Sequence, residues 1–146
     1  MTTVAEQLER LRRTADDLAA ALKGMAEASV AKRPAEKAWA AMEVVCHLRD
    51  VEELWLNRFQ TILANDEPKL LPIDPDAWAL DRQYLRNDVA DALASFRRRR
   101  RETLEFLGTL KPEQWERAGL HSSRGRLTVR DFVAFMAYPG REAVVR

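Results

Sequence analysis

The chain of 146 residues carries 24 basic against 23 acidic side chains, a formal net charge of +1, and a hydrophobic fraction of 47%. Those values describe one folded domain, residues 1–146, and exclude a disordered or fibrous chain. The near-balance of charge leaves no overall field to draw nucleic acid or an anionic membrane, so neither is expected as a partner.

Five glycines and no alternating apolar stretch argue against a sheet, whereas apolar residues recur three and four apart in several long segments. The first helix is predicted from about Thr3 to about Ala28. Its stripe is Val4, Leu8, Leu11, Ala15, Leu18 and Leu22, and Gly24 weakens its last turn. A polar connector from Lys32 to Lys37, with Pro34, leads through Trp39 and Met42 into a second helix reaching about Ala64. Val44, Leu48, Val51, Trp55, Phe59 and Ile62 are its expected inward face. Asn65, Pro68, Pro72 and Pro75 then break helical structure, leaving a long crossover with one short helix near Asp76 to Tyr84. Asn87 is the expected N-cap of a third helix, striped by Val89, Leu93, Phe96, Leu104 and Leu107 and ended by Gly108. After Lys111-Pro112 and Trp115, the stretch HSSRGR reads as an exposed turn, with His121 on the surface. Thr128 and Asp131 have capping-box spacing and open a last helix bearing Val129, Phe132, Val133 and Met136, which Pro139-Gly140 should stop or kink. The sum is an all-α, antiparallel four-helix bundle with a long crossover between helices two and three.

The lone Cys46 cannot form an intramolecular disulfide. No run approaches the ~18 apolar residues of a membrane span, and MTTVAEQLERLRR lacks a signal-type apolar core. A cytoplasmic location follows as the expectation.

Few residues invite chemistry. His47 lies at the edge of the second helix's stripe and can look into the bundle, with Glu43 and Asp50 as local hydrogen-bonding neighbours. Of the run Arg97 to Arg101, only Arg100 points where Phe96, Leu104 and Leu107 point. A guanidinium there must find a carboxylate or an anionic ligand. Arg58 has the same property on the second helix, so His47, Arg58 and Arg100 are the candidate ligand-binding residues. Both arginines alternatively extend their charge to the bundle end or pair with Asp and Glu of neighbouring helices. Arg97, Arg98, Arg99 and Arg101 read as a solvated face. Cys46 projects about 100° away from His47 and reads as a small apolar filler. No Gly-rich phosphate loop, nucleophile elbow or zinc-spaced cysteine pair is present.

Taken in order, AWAAMEVVCHLRDVEELWLNRF, the proline-rich link with DPDAW and RQYL, SFRRRRRETLEFL and LTVRDFVAFMAYPGRE resemble the DinB/YfiT-like superfamily across nearly the whole chain. The resemblance implies a four-helix bundle with a long crossover. In many members it also implies zinc or nickel bound by one histidine on helix two and an HxxxH pair on helix four. Three neutral imidazoles leave an open coordination position where a metal acidifies water or a thiol. By this resemblance His47 corresponds to the first ligand, while Pro139 and Ala143 occupy the positions of the other two. Neither can coordinate through its side chain. The implied protein is a metal-site-degenerate relative acting as a small-molecule-binding or structural protein, with no cofactor expected. The alternative is a metal-dependent hydrolase or thiol-dependent transferase, with zinc or nickel held by an altered ligand set such as one including Glu142. A small-molecule ligand and a second copy of the chain, forming a homodimer, are the expected partners.

Overall fold

The computed structural model describes residues 2–138, the side chain of Glu27 apart. Thr3 opens α1 (Val4–Lys23): its hydroxyl accepts the Glu6 N–H at 3.1 Å, satisfying one of the donors a helix start leaves over. The helix ends at Gly24, short of the expected Ala28, and a separate turn, α2 (Glu27–Val30), follows. Glycine disfavours helix continuation, and the break lets Val30 turn inward to 3% exposure.

The start of α3 (Ala41–Ala64) is closed by Glu43. Its carboxylate accepts the Ala40 N–H at 3.0 Å and the Arg33 guanidinium at 2.7 and 2.6 Å. The hydrogen bonds from Arg33 hold this carboxyl below the ordinary carboxylate range. The inward face of α3 departs from the expected stripe at this end. Val44 is exposed, and Met42, Val45 and Cys46 are buried instead. Those three pack with Val30, Ala79, Tyr84 and Ala92, because α2 and the crossover wrap the first turns of α3 from a direction that its later turns do not share. Cys46 is a fully buried free thiol there, as its reading as a filler requires.

The crossover holds β1 (Lys69–Leu70), α4 (Pro75–Asp81) capped by Asp74, and a 3-10 turn at Tyr84–Arg86. The next helix, α5 (Val89–Gly108), is capped by Asp88, whose carboxylate accepts the Asp91 N–H at 3.0 Å. The expected cap, Asn87, accepts a hydrogen bond from Arg49 instead, at 3.1 Å.

The expectation of an all-helical chain needs correction. The HSSRGR stretch is the turn of a hairpin between β2 (Ala118–His121) and β3 (Gly125–Thr128), and β1 adds to β2 in parallel to give the order β1-β2-β3. Gly125 at φ +77° supplies the left-handed residue of this turn. Gly119 lets β2 approach the end of α3: a Cβ there would lie 2.7 Å from Leu70 Cδ1 and 3.2 Å from Ile62 Cγ1. His121 is not a surface residue. It is 4% exposed, and its Nδ1 accepts the N–H groups of Ser123 and Arg124 at 3.2 and 3.3 Å, fixing the turn.

The last described helix, α6 (Val129–Ala137), starts on the predicted reciprocal cap. Thr128 Oγ1 accepts the Asp131 N–H at 3.0 Å, and Asp131 accepts the Thr128 N–H at 2.9 Å. The stop expected at Pro139-Gly140 lies outside the described residues. The long helices pack α3 on α5 and α1 on both α5 and α6. Phe132 anchors the centre, with ring centroids 5.3 Å from Trp55 and 6.5 Å from Phe59. No described helix is long and apolar enough to cross a membrane.

Candidate functional site

Leu48, Val51, Glu52 and Trp55 follow one another at helical spacing, so α3 turns all four to the same side. Opposite them stand Thr14 and Leu18 of α1, Phe96 and Arg100 of α5, and Met136 of α6. Together they border a cavity of about 220 Å³. Its wall is largely apolar, with polar atoms carried by Thr14, Glu52, Arg100 and the Trp55 indole.

The two charges are tightly paired. Arg100 Nε donates to Glu52 Oε1 at 2.9 Å, and Nη2 lies 2.8 Å from the same oxygen. Nη1 donates to the Leu11 carbonyl at 2.9 Å and to Thr14 Oγ1 at 3.2 Å, and the guanidinium stands 5.0 Å from the Phe96 ring centroid. Glu52 is 1% exposed and Arg100 8%, so each would be strongly disfavoured in this place without the other. Glu52 Oε2 has no hydrogen-bond partner among the described residues.

The three residues that the sequence nominates do not converge. Arg100 borders the cavity, with its nitrogens already donating to Glu52, Leu11 and Thr14. His47 is 3% exposed and lies outside the cavity wall, its ring edge-on to Trp39 at 5.1 Å. Glu43 and Asp50, its neighbours in sequence, bond to Arg33 and to a separate cluster. Arg58 also lies away from the cavity. Its Nη2 donates to the Leu71 carbonyl at 2.7 Å, tying the end of β1 to α3, and its guanidinium rests 5.5 Å from the Trp55 ring and 5.9 Å from the Phe132 ring. Burial lowers the pKa of Arg58, and its Nη1 has no hydrogen-bond partner among the described residues.

Asp50 organises the second polar cluster. Its carboxylate accepts the Tyr84 hydroxyl at 2.7 Å and pairs with Arg49 at 2.9 Å, Arg82 at 2.9 Å and Arg99 at 3.5 Å. The crossover is thereby fastened to both α3 and α5. Burial works against the charged form of Asp50, but hydrogen bonds from Arg49, Tyr84 and Arg82 outweigh it and hold the pKa below its ordinary value. Tyr84 is pushed up, first by burial and then by its bond to Asp50. Arg99 therefore departs from the expected solvated face: besides Asp50 it meets Glu53 at 3.1 Å and donates to the Arg49 carbonyl at 2.8 Å. Arg97, Arg98 and Arg101 are exposed, and Arg97 pairs with Asp16 at 2.8 Å.

Glu52 and Thr14 are the wall residues that sequence reasoning missed. The signal for Glu52 was present: it shares the inward side of α3 with Leu48, Trp55 and Phe59, where a carboxylate is as much in need of a partner as Arg100 is on α5.

The architecture is that of a helical bundle carrying a long, partly structured crossover, with a polar pair buried between helices. A family model described as the DinB superfamily matches residues 10–138, and the chain belongs to that superfamily. The fold is similar to that of YfiT from Bacillus subtilis, described as "a probable metal-dependent hydrolase with an unusual four-helix bundle topology". The TM-score is 0.87 at 20% identity, over 97% of this chain and 81% of YfiT. No curated protein matches the sequence.

The donor set of this chain does not fit a three-histidine metal centre. Among the described residues no group of three or more His, Cys, Asp or Glu is placed to hold a metal ion. Positions 139 and 143, where the resemblance puts the other two ligands, are Pro and Ala and lie outside the described residues.

Proposed function

We propose that this DinB-superfamily chain is a small-molecule-binding protein that holds a compact, largely apolar ligand in the cavity between α1, α3, α5 and α6. In this reading the four helices form the antiparallel bundle of the family, working as a cytoplasmic homodimer and without a resident metal. The observation that carries it is an apolar cavity of about 220 Å³ whose wall includes a buried Glu52–Arg100 pair. Ligand sites are typically concave and apolar with a few placed polar groups. A buried ion pair is weak evidence for stability alone, so a role in shaping a ligand site gives it a reason to be there. Arg100 stays in the site as a wall residue, and His47 and Arg58 serve the packing around it.

The test is a titration of the protein with toluene followed by calorimetry. Saturable binding is expected in the wild type and its loss in Leu48→Trp, whose larger ring fills the cavity; circular dichroism checks that the variant is folded. Equal binding by both proteins would place the ligand elsewhere and refute the reading.

The alternative, a metal-dependent hydrolase or thiol-dependent transferase with altered ligands, draws support from the likeness to YfiT and from the place of His47 on α3. Elemental analysis separates the two. The proposal expects substoichiometric zinc and nickel, unchanged by His47→Ala; one equivalent of either metal, lost in that variant, would establish the alternative.

A further inference from the structure

More positive charge gathers at Asp50 than its carboxylate can answer. Arg49 of α3 fills two of its acceptor positions, through Nε at 2.9 Å and Nη2 at 3.4 Å. The Tyr84 hydroxyl at 2.7 Å and Arg82 Nη1 at 2.9 Å, both from the crossover, take two more. A carboxylate offers about four such positions, so Asp50 is satisfied without Arg99. Arg99 of α5 nonetheless stands 3.5 Å from it and makes no hydrogen bond to it. Among the described residues, Nε and Nη2 of Arg82 and Nε of Arg99 donate to nothing. Both arms reach solvent: the Arg82 side chain is 46% exposed and that of Arg99 28%.

Three guanidiniums against the one Asp50 carboxylate leave a surplus of two positive charges. Glu53 answers part of it, 3.1 Å from Arg99 Nη2, but its side chain is 59% exposed, and so open a pair is weak and readily exchanged. Arg82 rests 3.9 Å from the Trp78 ring centroid, which holds its guanidinium in place. We propose that Arg82 and Arg99, with Arg49 beside them, form a binding site for the phosphate group of a small molecule where the crossover meets α3 and α5. The site is separate from the cavity, whose wall includes none of these residues, and it stands without the reading that the cavity holds a ligand. Charge and shape both favour phosphate. Near neutral pH a phosphate monoester carries about two negative charges, which match the surplus once Glu53 has been displaced. Its several oxygens can accept from guanidiniums that arrive on two different elements, whereas a planar carboxylate is best met by one fork. Bound there, it adds a second tie between the crossover and α5.

Calorimetric titration of the full chain with inorganic phosphate, at neutral pH and constant ionic strength, tests the site. Saturable binding of about millimolar affinity or tighter is expected, because two or more charge-assisted hydrogen bonds form. Arg82→Gln and Arg99→Gln should each weaken it about tenfold or more. Glu53→Gln removes the competing carboxylate and should tighten it about threefold. Arg97→Gln, which alters an exposed arginine paired with Asp16, should leave it unchanged. Acetate should bind at least about tenfold more weakly than phosphate. Vesicles containing phosphatidic acid should not retain the chain; retention on them would move the phosphate to a lipid and overturn the small-molecule assignment. No saturable phosphate binding, an equal loss in the Arg82, Arg99 and Arg97 variants, or acetate binding as tightly as phosphate overturns the proposal. Should Arg99→Gln fail to fold, the exposed changes Arg82→Gln and Glu53→Gln decide: opposite shifts in affinity support the site, and no shift in either removes it.

Discussion

Arg100→Met is expected to destabilise the protein by about 3–5 kcal/mol, whereas the double variant with Glu52→Met should lie within about 1–2 kcal/mol of the wild type or above it. The single change leaves a carboxylate that is 1% exposed among Phe96, Trp55 and Met136 with no cation beside it. The double change replaces the pair by two flexible apolar side chains of similar length, which suit an apolar wall. Urea unfolding of the four members of the cycle measures the coupling. Additive single-variant effects would mean that the 2.8 Å contact contributes nothing specific.

Asp50→Asn should cost about 2–3 kcal/mol at neutral pH, less than a fully sealed pair because Arg82 is half exposed. The substitution keeps size but weakens the bonds to Arg49, Arg82 and Arg99 and changes the partner of the Tyr84 hydroxyl. Its pH dependence follows from the lowered pKa. A carboxyl whose folded-state pKa lies below its ordinary value of 3.8 contributes its full stabilisation above that value and loses it as the pH falls through the folded-state pKa. The gap in stability between wild type and Asp50→Asn should accordingly be wide at pH 7 and narrow toward pH 3. A gap of constant width across that range would show that Asp50 acts through shape alone.

The helices were legible in the sequence because each long one repeats its apolar residues at the helical period, and some carry a local start or stop signal. The Thr128–Asp131 cap and the ends of α3 and α5 are the clearest cases. What failed were features decided by tertiary contact. Strands of two to four residues, such as β1 at Lys69–Leu70 and β2 at Ala118–His121, are too short to display alternation, so the sheet was invisible. Val44 looked inward by extrapolating the stripe from Val51 and Trp55. The crossover instead covers the other side of that turn and buries Val45 and Cys46. Asn87 and Asp88 are equally good caps by type, and the reach of Arg49 separates them.

The candidate site was half legible. A lone arginine on the stripe of α5 announced that it needed a partner, and it has one in Glu52. Which carboxylate answers it depends on the relative rotation of two helices, which a one-dimensional pattern does not carry. The unequal hydrogen bonding that leaves Glu52 Oε2 without a donor depends likewise on how Leu11 and Thr14 of α1 approach Arg100. For His47, the sequence offered Glu43 and Asp50 as partners. Each of these carboxylates also bonds arginines distant in sequence, Arg33 in one case and Arg82 with Arg99 in the other, contacts that a local helical pattern does not announce.

The central claim is that a ligand enters the space between α1, α3, α5 and α6. Its most direct test is isotope-filtered nuclear magnetic resonance of methyl-labelled protein with toluene. Contacts from the ring to the methyl groups of Leu18, Leu48, Val51 and Met136 are the expected result. Contacts confined to the exposed Leu71, Leu80 and Leu85, or none at saturating toluene, would contradict the account.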